Sequence, residues 1–315
     1  MTIEKITFCP GPGAYIPEWI NNQKEYFGRG DKEYTLIKKR TFSWLRKLSG
    51  KKNIVSIGGS ASTAAIIAFE NFLSGKILII NTGYYSKRWQ NHLIHKKYKK
   101  ISFVNYADIE NINEKFDWII FVYVETATCT KYDINKVFKL KKKLKSKLML
   151  DATASIGLEK NHNLSDVMFF SSCKGLFGPT GLGFIAYGEK LKINKVKDFW
   201  LDIETHIKAK YTLGYNCIAS LYKIIKKHSF YKKKLIFASN YLKNYMSNIN
   251  NPVIGCSLKY KIRNKNLKNT IFYIPREKTE FEILFFLGLI KFNKSKIKTI
   301  LKKLIISNFK KKTNS

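Results

Sequence analysis

The stretch Asn53-Ile54-Val55-Ser56-Ile57-Gly58-Gly59-Ser60-Ala61-Ser62-Thr63 decides the fold. Asn53 to Ile57 is a short β-branched run that reads as a strand, Gly58-Gly59-Ser60 as a turn, and Thr63 to Leu73, rich in Ala and Ile, as a helix. The same alternation continues outward. Lys76 to Ile80 reads as a strand and Ser86 to Tyr98 as a helix; Ile101 to Val104 and Trp118 to Val124 read as strands. Asn135 to Lys145 is a charged amphipathic helix, and Leu148 to Leu150, Val167 to Ser171 and Gly183 to Tyr187 are further strands. Strands alternating with helices predict an α/β fold, a mostly parallel sheet covered on both faces. From about Thr212 the pattern changes to helices, Cys217 to Lys227 and Lys233 to Met246. After Asn250-Asn251-Pro252 come strand-like runs, Thr270 to Ile274 and Phe281 to Phe286, and a last helix, Ile297 to Ile306. The expected division is a large domain over 1–249, including the N-terminal segment, and a small C-terminal α+β domain over 250–315.

Composition narrows the class. A hydrophobic fraction of 45% over 315 residues can bury a sizeable core. The 58 Lys+Arg against 22 Asp+Glu give a formal charge of +36. Such an excess reads either as contact with an anionic partner or as a compositional bias shared with Asn and Ile. The lysines are scattered, with no zinc-finger spacing and no RNA-binding aromatic motif, so nucleic acid is not expected as a partner. Five dispersed cysteines, Cys9, Cys129, Cys173, Cys217 and Cys256, form no CxxC pair and fit reduced thiols. Met1 to Pro12 has no apolar leader, and Trp118 to Val124 is too short to span a bilayer. A cytoplasmic protein with no membrane contact is expected.

In an open parallel sheet ligands gather at the carboxyl ends of the strands, where the unusual residues of this chain fall. Ser60, Ala61, Ser62 and Thr63 follow one strand and open a helix. Small residues there let N–H groups converge on an anion; an ordinary N-capped turn is the other reading. Asp151 directly follows the buried run Leu148-Met149-Leu150, where an acid needs a partner such as a pyridinium; a helix N-cap or a surface carboxylate is the alternative. Lys174 follows Phe169-Phe170-Ser171-Ser172-Cys173 and precedes Gly175-Leu176-Phe177-Gly178-Pro179. A lysine drawn into so apolar a setting becomes a nucleophile toward aldehydes, whereas a turn lysine is merely exposed. Asn81-Thr82-Gly83-Tyr84-Tyr85 and Val124-Glu125-Thr126-Ala127-Thr128 end two more strands, with tyrosines and hydroxyls.

In this order, from Pro10-Gly11-Pro12 to roughly Tyr222, these segments resemble the class V aminotransferases of pyridoxal-phosphate fold type I. Within that class they are most similar to 2-aminoethylphosphonate–pyruvate and alanine– or serine–glyoxylate aminotransferases. The resemblance implies pyridoxal 5′-phosphate as cofactor, with Lys174 as the Schiff-base lysine and Asp151 on the acid that pairs with the pyridine nitrogen. It also implies Ser60 to Thr63 as the phosphate loop, Tyr85 stacked on the ring, and Thr126, Thr128 and Cys173 as further cofactor contacts. Lys210-Tyr211-Thr212-Leu213-Gly214-Tyr215 resembles the segment that reaches the neighbouring subunit's cofactor phosphate, which implies a homodimer using Tyr211 and Thr212. The implied activity transfers an amino group from a small amine, 2-aminoethylphosphonate first, to pyruvate or a similar oxo acid. Several positions depart from the family. Cys173 stands where a polar residue is usual, Ala127 replaces a hydroxyl, and Glu282 lies where the substrate-carboxylate arginine is sought, leaving Arg276 as substitute. The group also resembles cysteine desulfurases around Lys174, although no Gly/Ser-rich loop surrounds Cys256. A non-catalytic protein of the same fold is the third possibility.

Overall fold

Alternation inside each strand builds two cores at once. Ile54, Leu78, Ile80, Phe121, Leu150 and Phe170 face one apolar layer, while Val55, Ile57, Ile79, Ile120, Met149 and Phe169 face another. A strand apolar on both sides must lie inside a sheet covered on both faces. The computed structural model describes residues 5–11, 16–20, 30–208, 214–262 and 268–309. Its strands are β1 (Ile6–Phe8), β2 (Asn53–Gly58), β3 (Lys76–Asn81), β4 (Lys100–Asn105), β5 (Trp118–Val122), β6 (Val124–Glu125), β7 (Thr130–Lys131), β8 (Lys147–Asp151), β9 (Val167–Ser171), β10 (Leu182–Tyr187), β11 (Gly255–Leu258), β12 (Thr270–Phe272) and β13 (Glu282–Phe285). Its helices are α1 (Pro17–Ile20), α2 (Lys32–Ser49), α3 (Ala61–Phe72), α4 (Tyr84–Leu93), α5 (Ile134–Leu144), α6 (Ile203–Lys208), α7 (Tyr215–Ile225), α8 (His228–Leu242) and α9 (Lys294–Phe309).

Seven strands form the central sheet in the order β2-β10-β9-β8-β5-β3-β4. The pairs β3–β4, β3–β5, β5–β8 and β8–β9 are parallel, and β10 runs antiparallel to both its neighbours. Leu182 pairs with Gly58, and Gly183 with Ser171, so β10 begins at the edge where β2 and β9 end. The loop from Ser172 to Gly181 is thereby fixed at the carboxyl edge of the sheet. Gly183 lets α3 close on that edge: a Cβ there would lie 2.5 Å from the Ser60 carbonyl oxygen and 2.9 Å from Ala64 Cβ. Helices α3 and α4 bury Ala64, Trp89 and Leu93 in one layer; α2, α5, α7 and α8 bury Leu45, Val137, Leu221 and Leu235 in the other.

Helix α2 has no counterpart among the expected elements. It is opened by Asp31, whose side chain accepts from Tyr34 N–H, and closed by Gly50 at φ 66°. Its buried stripe, Ile37, Thr41, Leu45 and Ser49, is half polar, which hides the helical period. Near the other end, β11 pairs antiparallel with β13, and β1 of the N-terminal segment pairs in parallel with β12. No helix among the described residues is long and apolar enough to cross a membrane.

Candidate active site

At the carboxyl edge the ends of β2, β8 and β9 and the start of β10 surround a cavity of about 210 Å³. Ser60, Ala61, Ser62, Tyr85, Thr126, Asp151, Cys173 and Lys174 all line it. Residues more than a hundred positions apart in the chain are brought together by strand order alone.

Lys174 lies half-buried in the β9–β10 loop, with its Nζ 5.5 Å from the centroid of the Tyr85 ring. Its loop is anchored on every side. Phe177 N–H donates to the Lys174 carbonyl (3.0 Å), and Gly178 N–H to the Ser172 carbonyl (2.8 Å). The buried His228 ring contacts the Gly175 carbonyl at 2.8 Å, and Trp19 Nε1 donates to the Phe177 carbonyl at 2.9 Å. Burial pushes the His228 imidazole down to about 4, so it serves as a neutral donor near neutral pH. Gly11, at φ +140°, packs on the same loop; a Cβ there would lie 3.2 Å from Lys174 Cγ. The lysine can move its amine while its backbone stays fixed.

Asp151 ends β8 fully inside the protein. Its Oδ2 accepts from Trp89 Nε1 (3.1 Å) and its Oδ1 from Thr153 N–H (3.0 Å). Desolvation raises its pKa, opposed by the bonds from Thr153 and Trp89 and by the Lys174 charge. A buried acid with two donors already placed and an open side toward a cavity is suited to one more cationic N–H.

The Ser60 turn is an N-cap. Ser60 Oγ accepts from Ser62 N–H (3.2 Å) and Thr63 N–H (3.4 Å), while Thr63 Oγ1 accepts from Ser60 N–H (3.3 Å), a capping box that opens α3. Thr63 faces this cap and not the cavity. An anion at this end would therefore meet the Ser60 and Ser62 hydroxyls and the positive end of α3.

Tyr85, in the first turn of α4, has its N–H bound by Glu125 Oε2 at 2.8 Å, and the other Glu125 oxygen accepts from Ala127 N–H at 2.8 Å. Burial, with Asp151 nearby, raises the Glu125 acid to about 7. Thr126 borders the cavity, whereas Thr128 pairs with Thr130 Oγ1 at 3.1 Å and stays outside the lining. Cys173 is half-buried with its Sγ 3.6 Å from Ser171 Oγ. Arg276 is also outside the lining: its guanidinium lies 5.4 Å from the centroid of the Tyr84 ring, itself in edge contact with Tyr85. Tyr211 and Thr212 lie outside the described residues.

Four residues of the site are given no role of their own by the sequence reading, although Glu125 stands in one of its motifs. Trp89 and Thr153 hold Asp151, Glu125 holds Tyr85, and Arg88 lines the cavity from α4. Trp89 is one helical turn after Tyr85, so the 3.6-residue period of α4 was the available signal. Cys256 is fully buried in β11, where its thiol is out of reach of a substrate. Among the described residues no group of three or more His, Cys, Asp and Glu could hold a metal.

Residues 58–201 match the family "Aminotransferase class-V". Over 229 residues the chain is 28% identical to the bifunctional phosphonoacetaldehyde hydrolase/aminoethylphosphonate transaminase of Clostridioides difficile (strain 630), covering 65% of this chain and 35% of that protein. The chain thus spans about a third of the length of the curated relative it matches. Among solved structures it is similar to an aspartate aminotransferase of subgroup IV from Thermus thermophilus, at TM-score 0.81 and 14% identity over 96% of this chain and 99% of that one. The pyridoxamine–pyruvate aminotransferase of Mesorhizobium loti is matched at TM-score 0.81 and 14% identity, over 97% and 92% of the two chains. The chain shares the fold of these solved aminotransferases, and its residues 58–201 resemble the class-V aminotransferase family.

Proposed function

We propose that the chain is a pyridoxal 5′-phosphate-dependent aminotransferase, moving an amino group from a small amine donor to pyruvate or a similar oxo acid. The observation that carries this reading is the meeting of Lys174, Asp151, Tyr85 and the Ser60–Ser62 turn around one cavity. Those groups fit the cofactor chemically: a buried acid seeking a cationic N–H, a flat ring to stack on, a hydroxyl-bearing helix start for a phosphate, and an amine for an aldehyde. When bound, the cofactor supplies an electron sink for the carbanion left after the donor carbon loses its proton. Lys174 Nζ would hold the cofactor through its aldehyde carbon and, once displaced by the incoming amine, would carry the proton from the donor carbon to that former aldehyde carbon. Asp151 keeps the ring nitrogen protonated, with Trp89 and Thr153 fixing its two oxygens. Tyr85 would hold the ring by stacking. Ser60, Ala61 and Ser62 would receive the phosphate, with Thr63 supporting the turn, and Thr126 and Cys173 would be further contacts. Among the described residues, Arg88 is the cation besides Lys174 that lines the cavity, and it could serve an anionic group there.

2-Aminoethylphosphonate is the first donor in this reading, supported by the aminoethylphosphonate transaminase among the relatives. Alanine–glyoxylate or serine–glyoxylate exchange is the alternative within the same chemistry. The assembly proposed is a cytoplasmic homodimer in which Tyr211 and Thr212 complete the partner's phosphate site, with a small domain over 250–315. The test is a donor and acceptor panel. The protein loaded with cofactor should be yellow, and one amine of 2-aminoethylphosphonate, alanine, serine and cysteine should bleach it. Regain of colour with pyruvate or glyoxylate would identify the acceptor. Sulfide release from cysteine would replace the reading by a desulfurase, and no bleaching by any amine would leave a cofactor-binding protein without transaminase activity.

A further inference from the structure

Glu125 is fully buried at the end of β6 and is not part of the cavity lining. Its two oxygens nevertheless hold two segments that are. Oε2 accepts from Tyr85 N–H, and Oε1 accepts from Ala127 N–H, both at 2.8 Å. Tyr85 stands in the first turn of α4, where backbone N–H groups have no intrahelical acceptor. The N-cap residue is Gly83, which has no side chain to supply one. A carboxylate from a strand therefore does the work of an N-cap, at the helix end where negative charge is favoured. Gly83 makes room for it: at φ +129°, a Cβ would lie 3.1 Å from Glu125 Cγ and 3.3 Å from Oε2. On its other side the Ala127 bond fixes the turn that carries Thr126 into the lining.

We infer that Glu125 is a positioning residue of the site, a clasp that sets the Tyr85 ring and the Thr126 turn at a fixed spacing across the cavity. The functional part of this inference rests on the cofactor reading given above. The clasp has two acceptors only when ionised. Protonated, one oxygen becomes a donor facing an N–H group. The groups around it are Asp151, Lys174 and the phenols of Tyr132 and Tyr273, and burial places the proton exchange at about 7. Asp151 raises the acid and Lys174 lowers it, so both enter the profile.

The test compares the chain with its Glu125→Gln and Glu125→Ala variants. In the cofactor-free proteins, hydrogen exchange reads the Tyr85 and Ala127 amides directly. Glutamine, with one acceptor, should release one of them, and alanine both. Separately, cofactor affinity is titrated from about one unit below to about one unit above the Glu125 transition. Above it the wild type should bind roughly 2- to 10-fold more tightly than Glu125→Gln, the effect of one net hydrogen bond. Below it the two should converge, because the amide copies the protonated acid. Two amides still protected in both variants would overturn the clasp, as would an affinity ratio that stays flat with pH. If the wild type takes up no cofactor, the functional reading fails, and the exchange data alone decide whether Glu125 holds Tyr85.

Discussion

Replacing Trp89 with Phe isolates one bond in the site. Trp89 is buried, packs edge-on against Phe69 and Phe169 at 5.5 Å from each, and donates from Nε1 to Asp151 Oδ2 at 3.1 Å. Phenylalanine keeps an aromatic ring between those two partners and removes the donor. A hydrogen bond to a charged group contributes about 1.5–3 kcal/mol. Where that energy is lost depends on pH. Asp151 already has a raised pKa, and without Trp89 it rises further, so the cofactor-free variant can shed the strain by taking a proton. The bound state cannot, because the ring nitrogen needs the ionised acid. Cofactor affinity should therefore fall by up to roughly 10- to 100-fold on the acid side of the Asp151 transition, at about 1.4 kcal/mol per tenfold. On the alkaline side the acid is charged in both states, and the defect should move from affinity into stability. Absorbance titration with pyridoxal phosphate across pH, with thermal melting beside it, measures both. The lost indole volume adds about 1–2 kcal/mol of destabilisation at all pH. Affinity within twofold of wild type throughout the range would refute the claim that Trp89 supports the charge of Asp151.

Three other outcomes are expected. Asp151→Asn should retain cofactor but lose roughly 10²- to 10³-fold in turnover, since an amide cannot hold a positive ring nitrogen; near-normal turnover would make Asp151 structural. The Glu125 acid is raised in the fold from 4.5 to about 7, so between those values the folded state binds more protons than the unfolded one. Stability from this group is present at low pH and declines as pH rises through that window, by up to about 3 kcal/mol at 1.36 kcal/mol per unit. The wild-type minus Glu125→Gln difference in urea unfolding should show that slope, and a flat difference would contradict it. Mixing Lys174→Ala with a Tyr211/Thr212 double alanine should restore up to about a quarter of wild-type activity, because one site of each mixed dimer escapes both lesions. No recovery after proven subunit exchange would rule out a shared site.

Much of the fold was legible because its strands are buried on both faces. Runs such as Lys147 to Asp151 and Val167 to Ser171 have no competing helical period, and their ends put Asp151 and Lys174 in view. Helix α2 was hidden because Thr41 and Ser49 occupy half of its buried stripe. Strand β11 was hidden because Gly255-Cys256-Ser257-Leu258 is short and small, although all four residues are buried. In the site, what could be read were residues that end strands. The supporting layer could not be read, since the Trp89–Asp151 and Glu125–Tyr85 bonds join positions 62 and 40 residues apart. Such pairings depend on which strand lies next to which, and β8 and β3 are separated in the sheet by β5 alone. Arg88 falls on the arginine that closes the family's motif from Asn81, but only Tyr85 drew a role there, and the place of Arg88 at the cavity emerges once its helix is set against it.

The most direct measurement is to load the protein with pyridoxal phosphate, reduce it with borohydride and map the modified peptide. Lys174 sits beside the Tyr85 ring on the same cavity as Asp151, and its loop is pinned by Gly11, Trp19 and His228. The adduct should fall on the Lys174 peptide alone and vanish in Lys174→Ala. An adduct on any other lysine, or a wild-type protein that acquires none, would contradict the account.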